Sequence, residues 1–207
     1  VGAPGTVRML EMVHRQYGVL PWATLLEPAI VLAEGGFKVS ARLNALLKAE
    51  VHLKKDPVAA AYFYRPGGTP HDVGYVLRNP ALAAVLRKIA AGGSKALHEG
   101  EIAQAIVNKV RQHPSNPGQL SMADLSNYKA IKRTALCLDY RANTRDYRIC
   151  GFPPPSSGAI AIGQILGTLN QTNAAQLPLE AGLPGTQWLH LYTEAARLAF
   201  ADRAQYL

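Results

Sequence analysis

Residues 151–158 read Gly151-Phe152-Pro153-Pro154-Pro155-Ser156-Ser157-Gly158. Three consecutive prolines fix φ near about −65° and remove three N–H donors. Such a run cannot sit in a central strand, and it is expected to be extended. A loosely alternating segment, Tyr147 to Phe152, leads into it, and an apolar helical pattern over 157–170 follows. Ser156 or Ser157 stands where a helix N-cap is expected. The octet therefore predicts a strand, a stiff corner and a helix whose start is aimed at one place. Unpaired N–H groups at a helix start can hold an anion. The plainer reading of the same residues is a rigid corner with a capping serine.

The rest of the chain is read around this corner. Its 207 residues are 48% hydrophobic and 17% charged, enough for a core in one domain. Apolar residues at spacings of three and four predict helices after Thr6, Pro21, Ser40, Asn79, Gly100 and Thr186. Leu43, Leu46 and Leu47 are expected to face inward in the third of these. Ser121 with Asp124 resembles a capping box. Residues 55–80 hold Pro57, Pro66, Gly67, Gly68, Pro70, Gly74 and Pro80, and are expected to be the least regular part. Residues 134–152 read as a hairpin, with helical stretches over 1–130 and 156–207, all in a single domain fragment. The expected class is α+β, mostly α. Ala159, Gly163 and Gly167 share one helix face, which predicts close approach of another helix or a sheet. Gln171 to Gly185 reads as a linker.

Cys137 and Cys150 fit no metal spacing. If Tyr140 faces Tyr147 in the hairpin, Cys137 falls opposite Cys150, within disulfide range. A disulfide and two buried free thiols both remain open on this reading. A disulfide would favour an oxidising compartment.

The net charge of +8 raises nucleic acid as a partner. The basic residues are scattered from Arg8 to Arg203, without a stripe interleaved with aromatics, so a solvated surface is expected instead. No window approaches the about 18 uninterrupted apolar residues of a membrane span. His190 and Glu194 stand four apart on a helix, but a third metal ligand is missing, and no cofactor is called for. Glu194 with Arg197 reads as a helix-face ion pair, and Asp202-Arg203 as a structural salt-bridge site. Ser156 and Ser157 lack the G-x-S-x-G setting of a serine nucleophile.

Six stretches in order resemble the γ-glutamyltranspeptidase (glutathione hydrolase) family. They are Val1-Gly2-Ala3-Pro4-Gly5-Thr6, Tyr17 to Trp22, Glu27-Pro28-Ala29-Ile30 with Leu32 to Phe37, Asp124-Leu125 with Tyr128, Pro153 to Gly158, and Ala199 to Arg203. The family's Gly-Gly after the serines is Gly158-Ala159 here. The loop Arg141 to Asp146 is also longer than the family's. The resemblance implies part of the large subunit of an N-terminal-nucleophile hydrolase, an αββα sandwich. It implies transfer or hydrolysis of γ-glutamyl groups, as from glutathione, through an acyl-threonine intermediate. The nucleophile would be the N-terminal threonine of a small subunit cut from the same precursor, its own amine acting as base. No Thr-Thr-His-type junction is present, so the chain reads as an inactive excerpt of a longer periplasmic or secreted protein. Catalytic and substrate-binding residues are expected outside it. Pro153, Pro154, Pro155, Ser156, Ser157 and Gly158 are expected to shape the pocket from the large-subunit side. Alternatives are a cephalosporin acylase, a poly-γ-glutamate processing relative, or a non-enzymatic basic helical binding module.

Overall fold

The computed structural model describes residues 2–142 and 144–207. Val1, which opens the first family-like stretch, and Asn143, in the expected hairpin turn, lie outside the described residues. The described residues are α+β and mostly helical. The sequence reads as one domain fragment; by its contacts the chain divides into two compact units, the first ending at Ile131 and the second being Lys132–Leu207. The divide falls in a connection, 128–135, with no regular element.

The first unit holds α1 (Thr6–Tyr17), α2 (Trp22–Gly35), β1 (Phe37–Lys38), α3 (Ala41–Ala49), α4 (Pro57–Phe63), β2 (Val76–Leu77), α5 (Pro80–Gly92), α6 (Lys95–His98), α7 (Gly100–Arg111) and α8 (Met122–Asn127). Strands β1 and β2 pair antiparallel, Phe37 opposite Leu77. Side-chain caps start four of these helices. Ser40 Oγ accepts from the Leu43 N–H at 3.1 Å, and Asn79 Oδ1 from the Leu82 N–H at 2.9 Å. Ser121 and Asp124 form a reciprocal capping box. Each satisfies N–H groups that the helix cannot bond internally.

The fourth cap lies where irregular chain is expected. Asp56 Oδ1 accepts from the Ala59 N–H at 2.9 Å and starts α4, with Pro57 in the first helical turn. Proline breaks a helix interior, but at the helix start its missing N–H removes nothing.

Two apolar clusters hold the first unit. Ile30, Ala33 and Ala83 are buried between α2 and α5, with Leu26, Leu86 and Ala90 against them. The Trp22 indole N–H donates to the Ile89 carbonyl at 3.0 Å. Ala103, Val107, Leu120 and Leu125 form the second cluster. In α3 the expectation of an inward Leu46 fails: it is 57% exposed, and Asn44 is buried instead. The Asn44 amide donates to the His71 carbonyl at 2.9 Å, which offsets its desolvation. Tyr64 is buried too, its hydroxyl donating to the Leu47 carbonyl at 3.0 Å. Between α1 and α6, Glu11 accepts from the Ser94 N–H at 3.2 Å and from the Ser94 hydroxyl. Burial pushes the Glu11 carboxyl up, but these donors and Arg15 hold it below the usual glutamate range.

The second unit holds β3 (Leu136–Ala142), β4 (Arg145–Gly151), α9 (Gly158–Leu169), β5 (Leu179–Glu180), β6 (Leu183–Pro184) and α10 (Thr186–Tyr206). Strands β3 and β4 pair in the register read from the sequence, Tyr140 opposite Tyr147 and Cys137 opposite Cys150. The two cysteines are joined in a disulfide, with Cα atoms 4.1 Å apart. Residues 171–185, read as a linker, contain a 3-10 turn at Ala174–Gln176 and the β5–β6 ladder. Ala181 (φ 50°) and Gly182 (φ 81°) make its two-residue turn. Positive φ at both central positions is what such hairpin turns require. Alanine at the first position hides the signal that Asn-Gly would show.

Ile165, Leu169, Ala174, Ala195 and Ala199 form the core of this unit, with Trp188, Leu191 and Ala196 against them. Thr186, expected to cap α10, lies inside it; Gly185 holds the N-cap position and no side chain caps the helix.

Candidate functional site

Alternation divides the β3–β4 hairpin into two faces. Leu138, Tyr140 and Ile149 are half-buried on one face, while Cys150, Asp139, Arg148, Arg141 and Asp146 are exposed on the other. The first face meets α9. A Cβ on Gly163 would lie 3.0 Å from the Leu138 side chain, and one on Gly151 would lie 2.9 Å from the Ala159 Cβ. The close approach expected of the Ala159–Gly163–Gly167 stripe is therefore to the hairpin, at its first two members. At Gly167 a Cβ would meet nothing within 4 Å.

Between β4 and α9 lies the proline run. It is not extended as expected. The Pro154–Pro155 bond is cis, and the Ser156 N–H donates to the Pro153 carbonyl at 3.2 Å. A cis proline at the third position of a four-residue turn reverses the chain. The Arg133 guanidinium donates to the Pro154 carbonyl at 3.4 Å from outside the turn. A hollow of about 220 Å3 opens beside the turn, lined by Leu138, Ile149, Cys150, Phe152, Ser156 and Ile162 among others. Phe152 is 81% exposed, so the corner presents an unburied ring at the rim.

The serines do not cap as expected. Ser157 holds the N-cap position of α9 in an αR conformation, without a side-chain cap. Its hydroxyl instead accepts from Arg203 Nε at 2.7 Å. Two turns further along α9, the Gln164 amide donates to Asp202 Oδ2 at 2.8 Å. Asp202 and Arg203, expected as a salt-bridge site, bond neutral side chains instead, and fasten the end of α10 to α9 and to its N-cap. The sequence pattern marks this pair but not its partners, which come from residues 38 and 46 positions away.

This bond also bears on the chemistry of Ser157. A guanidinium only donates and cannot take the proton that a serine nucleophile must lose. Among the described residues, no histidine or carboxylate is hydrogen-bonded to Ser156 or Ser157. Glu194 pairs with Arg197 at 3.1 Å. No group of three His, Cys, Asp or Glu among the described residues could hold a metal ion. No helix among them is long and apolar enough to cross a membrane. The arrangement can position a chain and shape a hollow; among the described residues it carries no assembled nucleophile and base.

Comparison with known proteins places this geometry. The family model described as Gamma-glutamyltranspeptidase matches residues 1–207. The Acylase ACY 1 proenzyme of Pseudomonas sp. (strain V22) is 38% identical over 205 residues, covering 99% of this chain and 35% of that protein. The glutathione hydrolase proenzyme of Escherichia coli (strain K12) is 34% identical over 209 residues, covering 100% of this chain and 34% of that protein. The crystal structure of Helicobacter pylori gamma-glutamyltranspeptidase superposes with a TM-score of 0.84 at 30% identity, covering 100% of this chain and 56% of that one. The chain therefore spans about a third of the length of the curated relatives it matches, and its fold is that of part of an N-terminal-nucleophile hydrolase. A match that runs the full length, on a backbone that follows a solved member throughout, leads to one conclusion: the chain belongs to the gamma-glutamyltranspeptidase family.

Proposed function

We propose that this chain is a large-subunit segment of a γ-glutamyltransferase or glutathione hydrolase. The parent enzyme removes the γ-glutamyl group of a donor such as glutathione and passes it to water or an amino acid. The observation that carries the reading is the full-length agreement with a solved γ-glutamyltranspeptidase. The proenzyme names of the relatives support a precursor that is cut into subunits. The attacking group on this reading is the N-terminal threonine of the small subunit. The Cys137–Cys150 disulfide supports a periplasmic or secreted location.

Residues Pro153 to Gly158 shape the substrate pocket from the large-subunit side. The support is local: prolines with fixed φ hold the β4–α9 corner, and the Arg203–Ser157 bond steadies it. Replacing Pro154 and Pro155 together by alanine in the full-length protein should impair maturation. Normal processing with unchanged turnover would remove this role.

The direct test expresses the full-length protein and follows it on a denaturing gel, with N-terminal sequencing of any small band. A new N-terminal threonine and release of a γ-glutamyl anilide are expected. A single uncut band without that activity would overturn the reading. The 38% identity to Acylase ACY 1 favours one second reading, a relative that cleaves other acyl amides. Processing without γ-glutamyl release, but with cleavage of a cephalosporin side-chain amide, would select it.

A further inference from the structure

The disulfide lies on the open face of the hairpin. Cys137 and Cys150 share a face with Asp139, Arg148, Arg141 and Asp146, and the opposite face turns to α9. A buried structural disulfide would sit among apolar residues on the inner face. Here its neighbours along both strands are charged, with Arg141 and Asp146 paired at 3.7 Å. The two half-cystines also differ: Cys150 is exposed and Cys137 half-buried.

Thiol–disulfide exchange depends on access to one sulfur and on a thiolate to attack it. We propose that the Cys137–Cys150 disulfide is an exchange site for small thiols such as glutathione, and that Cys150 is the sulfur attacked. The incoming thiolate bonds to Cys150 Sγ. The bond between the two cysteine sulfurs breaks, and Cys137 Sγ leaves with the electron pair as a thiolate. The product is a mixed disulfide on Cys150. A second thiolate attacks the small-molecule sulfur of that mixed disulfide and expels Cys150 as a thiolate. Two small thiols are thereby oxidised to one disulfide, and the protein disulfide is reduced to two thiols, which take up protons from water. The step concerns the sulfur of the thiol and needs no γ-glutamyl chemistry, so it goes beyond the proposed activity.

The test treats the folded full-length protein with reduced glutathione, quenches with acid, alkylates free thiols and maps the peptides by mass spectrometry. The expected result is a mass gain of one glutathione on the Cys150 peptide, with Cys137 alkylated, followed at longer times by alkylation of both. 2-Mercaptoethanol, which carries no γ-glutamyl group, should give the corresponding adduct, so failure of the hydrolase reading would leave this result standing. A disulfide that stays intact in the folded protein and is reduced only after denaturation would overturn the proposal. Adducts found on Cys137 in place of Cys150 would overturn the assignment of the attacked sulfur. Cys137→Ala, kept folded, should form the Cys150 adduct directly from glutathione disulfide; an unreactive Cys150 there would also overturn it.

Discussion

Each unit is held together internally by a different combination of interactions. In residues 2–131, four helices begin with a side chain that caps them, at Ser40, Asp56, Asn79 and Ser121. In residues 132–207 neither helix has a side-chain cap, and α9 and α10 are joined by an apolar core, two long-range hydrogen bonds and a hairpin closed by a disulfide. The first unit combines short-range signals with two small clusters. Both units also use contacts between residues far apart in the chain, such as Trp22 with Ile89 in the first and Ser157 with Arg203 in the second, but only the first adds side-chain caps to them. Helix length explains part of the contrast: α10, at 21 residues, makes many internal backbone bonds and packs through Ala195 and Ala199 without a side-chain cap, whereas α8 has only six residues. A short helix gains little from internal bonds and needs its ends satisfied.

The largest effect that tests this contrast is expected at Leu125, which is fully buried in the second cluster of the first unit. Leu125→Ala should cost about 2–5 kcal/mol in chemical unfolding, from lost burial plus a cavity. A cost under about 1 kcal/mol would mean that caps, not clusters, dominate there. Next comes the pair Cys137→Ser with Cys150→Ser. Opening a closure of sequence separation 13 should lower the stability of the second unit by roughly 2–4 kcal/mol. Amide exchange would place the loss in residues 132–207; loss spread evenly over both units would break the comparison. Asn79→Ala should cost about 1 kcal/mol, because the Leu82 N–H loses its acceptor at the start of α5. Thr186→Ala should change stability by no more than about 0.5 kcal/mol, since Thr186 caps nothing. Equal costs at Asn79 and Thr186 would erase the distinction between capped and uncapped helices.

The same contrast governs what the sequence reveals. Ser40, Asn79 and Ser121 are read as caps because the acceptor and the N–H it serves lie three residues apart. Asp56 obeys the same rule and is obscured only by the prolines and glycines that follow it. Ser157 and Thr186 mislead for the opposite reason. Each stands at a helix start, but the partner of Ser157 is Arg203, 46 residues away, and Gly185 takes the place expected for Thr186. The hairpin register is legible because pairing Tyr140 with Tyr147 fixes every other pair. The turn at Pro154 is not, since three prolines fix φ but leave the isomer of each preceding bond open. At the candidate site, the corner between strand and helix follows from local chemistry. Its fastening by Arg203, Gln164 and Arg133 requires the fold.

Gly5 and Tyr128 lie at opposite ends of the first unit, yet a Cβ on Gly5 would overlap the Tyr128 ring. Arg8 reaches the same place, donating to the Ser126 carbonyl at 3.1 Å, and Ala3 rests on the cluster around Leu125. The chain thus enters and leaves this unit at one point, which makes its path a closed ring in all but the covalent bond. Ends so close are the condition under which a chain can be joined there and reopened elsewhere, for instance in the exposed stretch 112–117, with its neighbour relations kept. The unit is in this sense a cassette that could be permuted or inserted without redesigning its core.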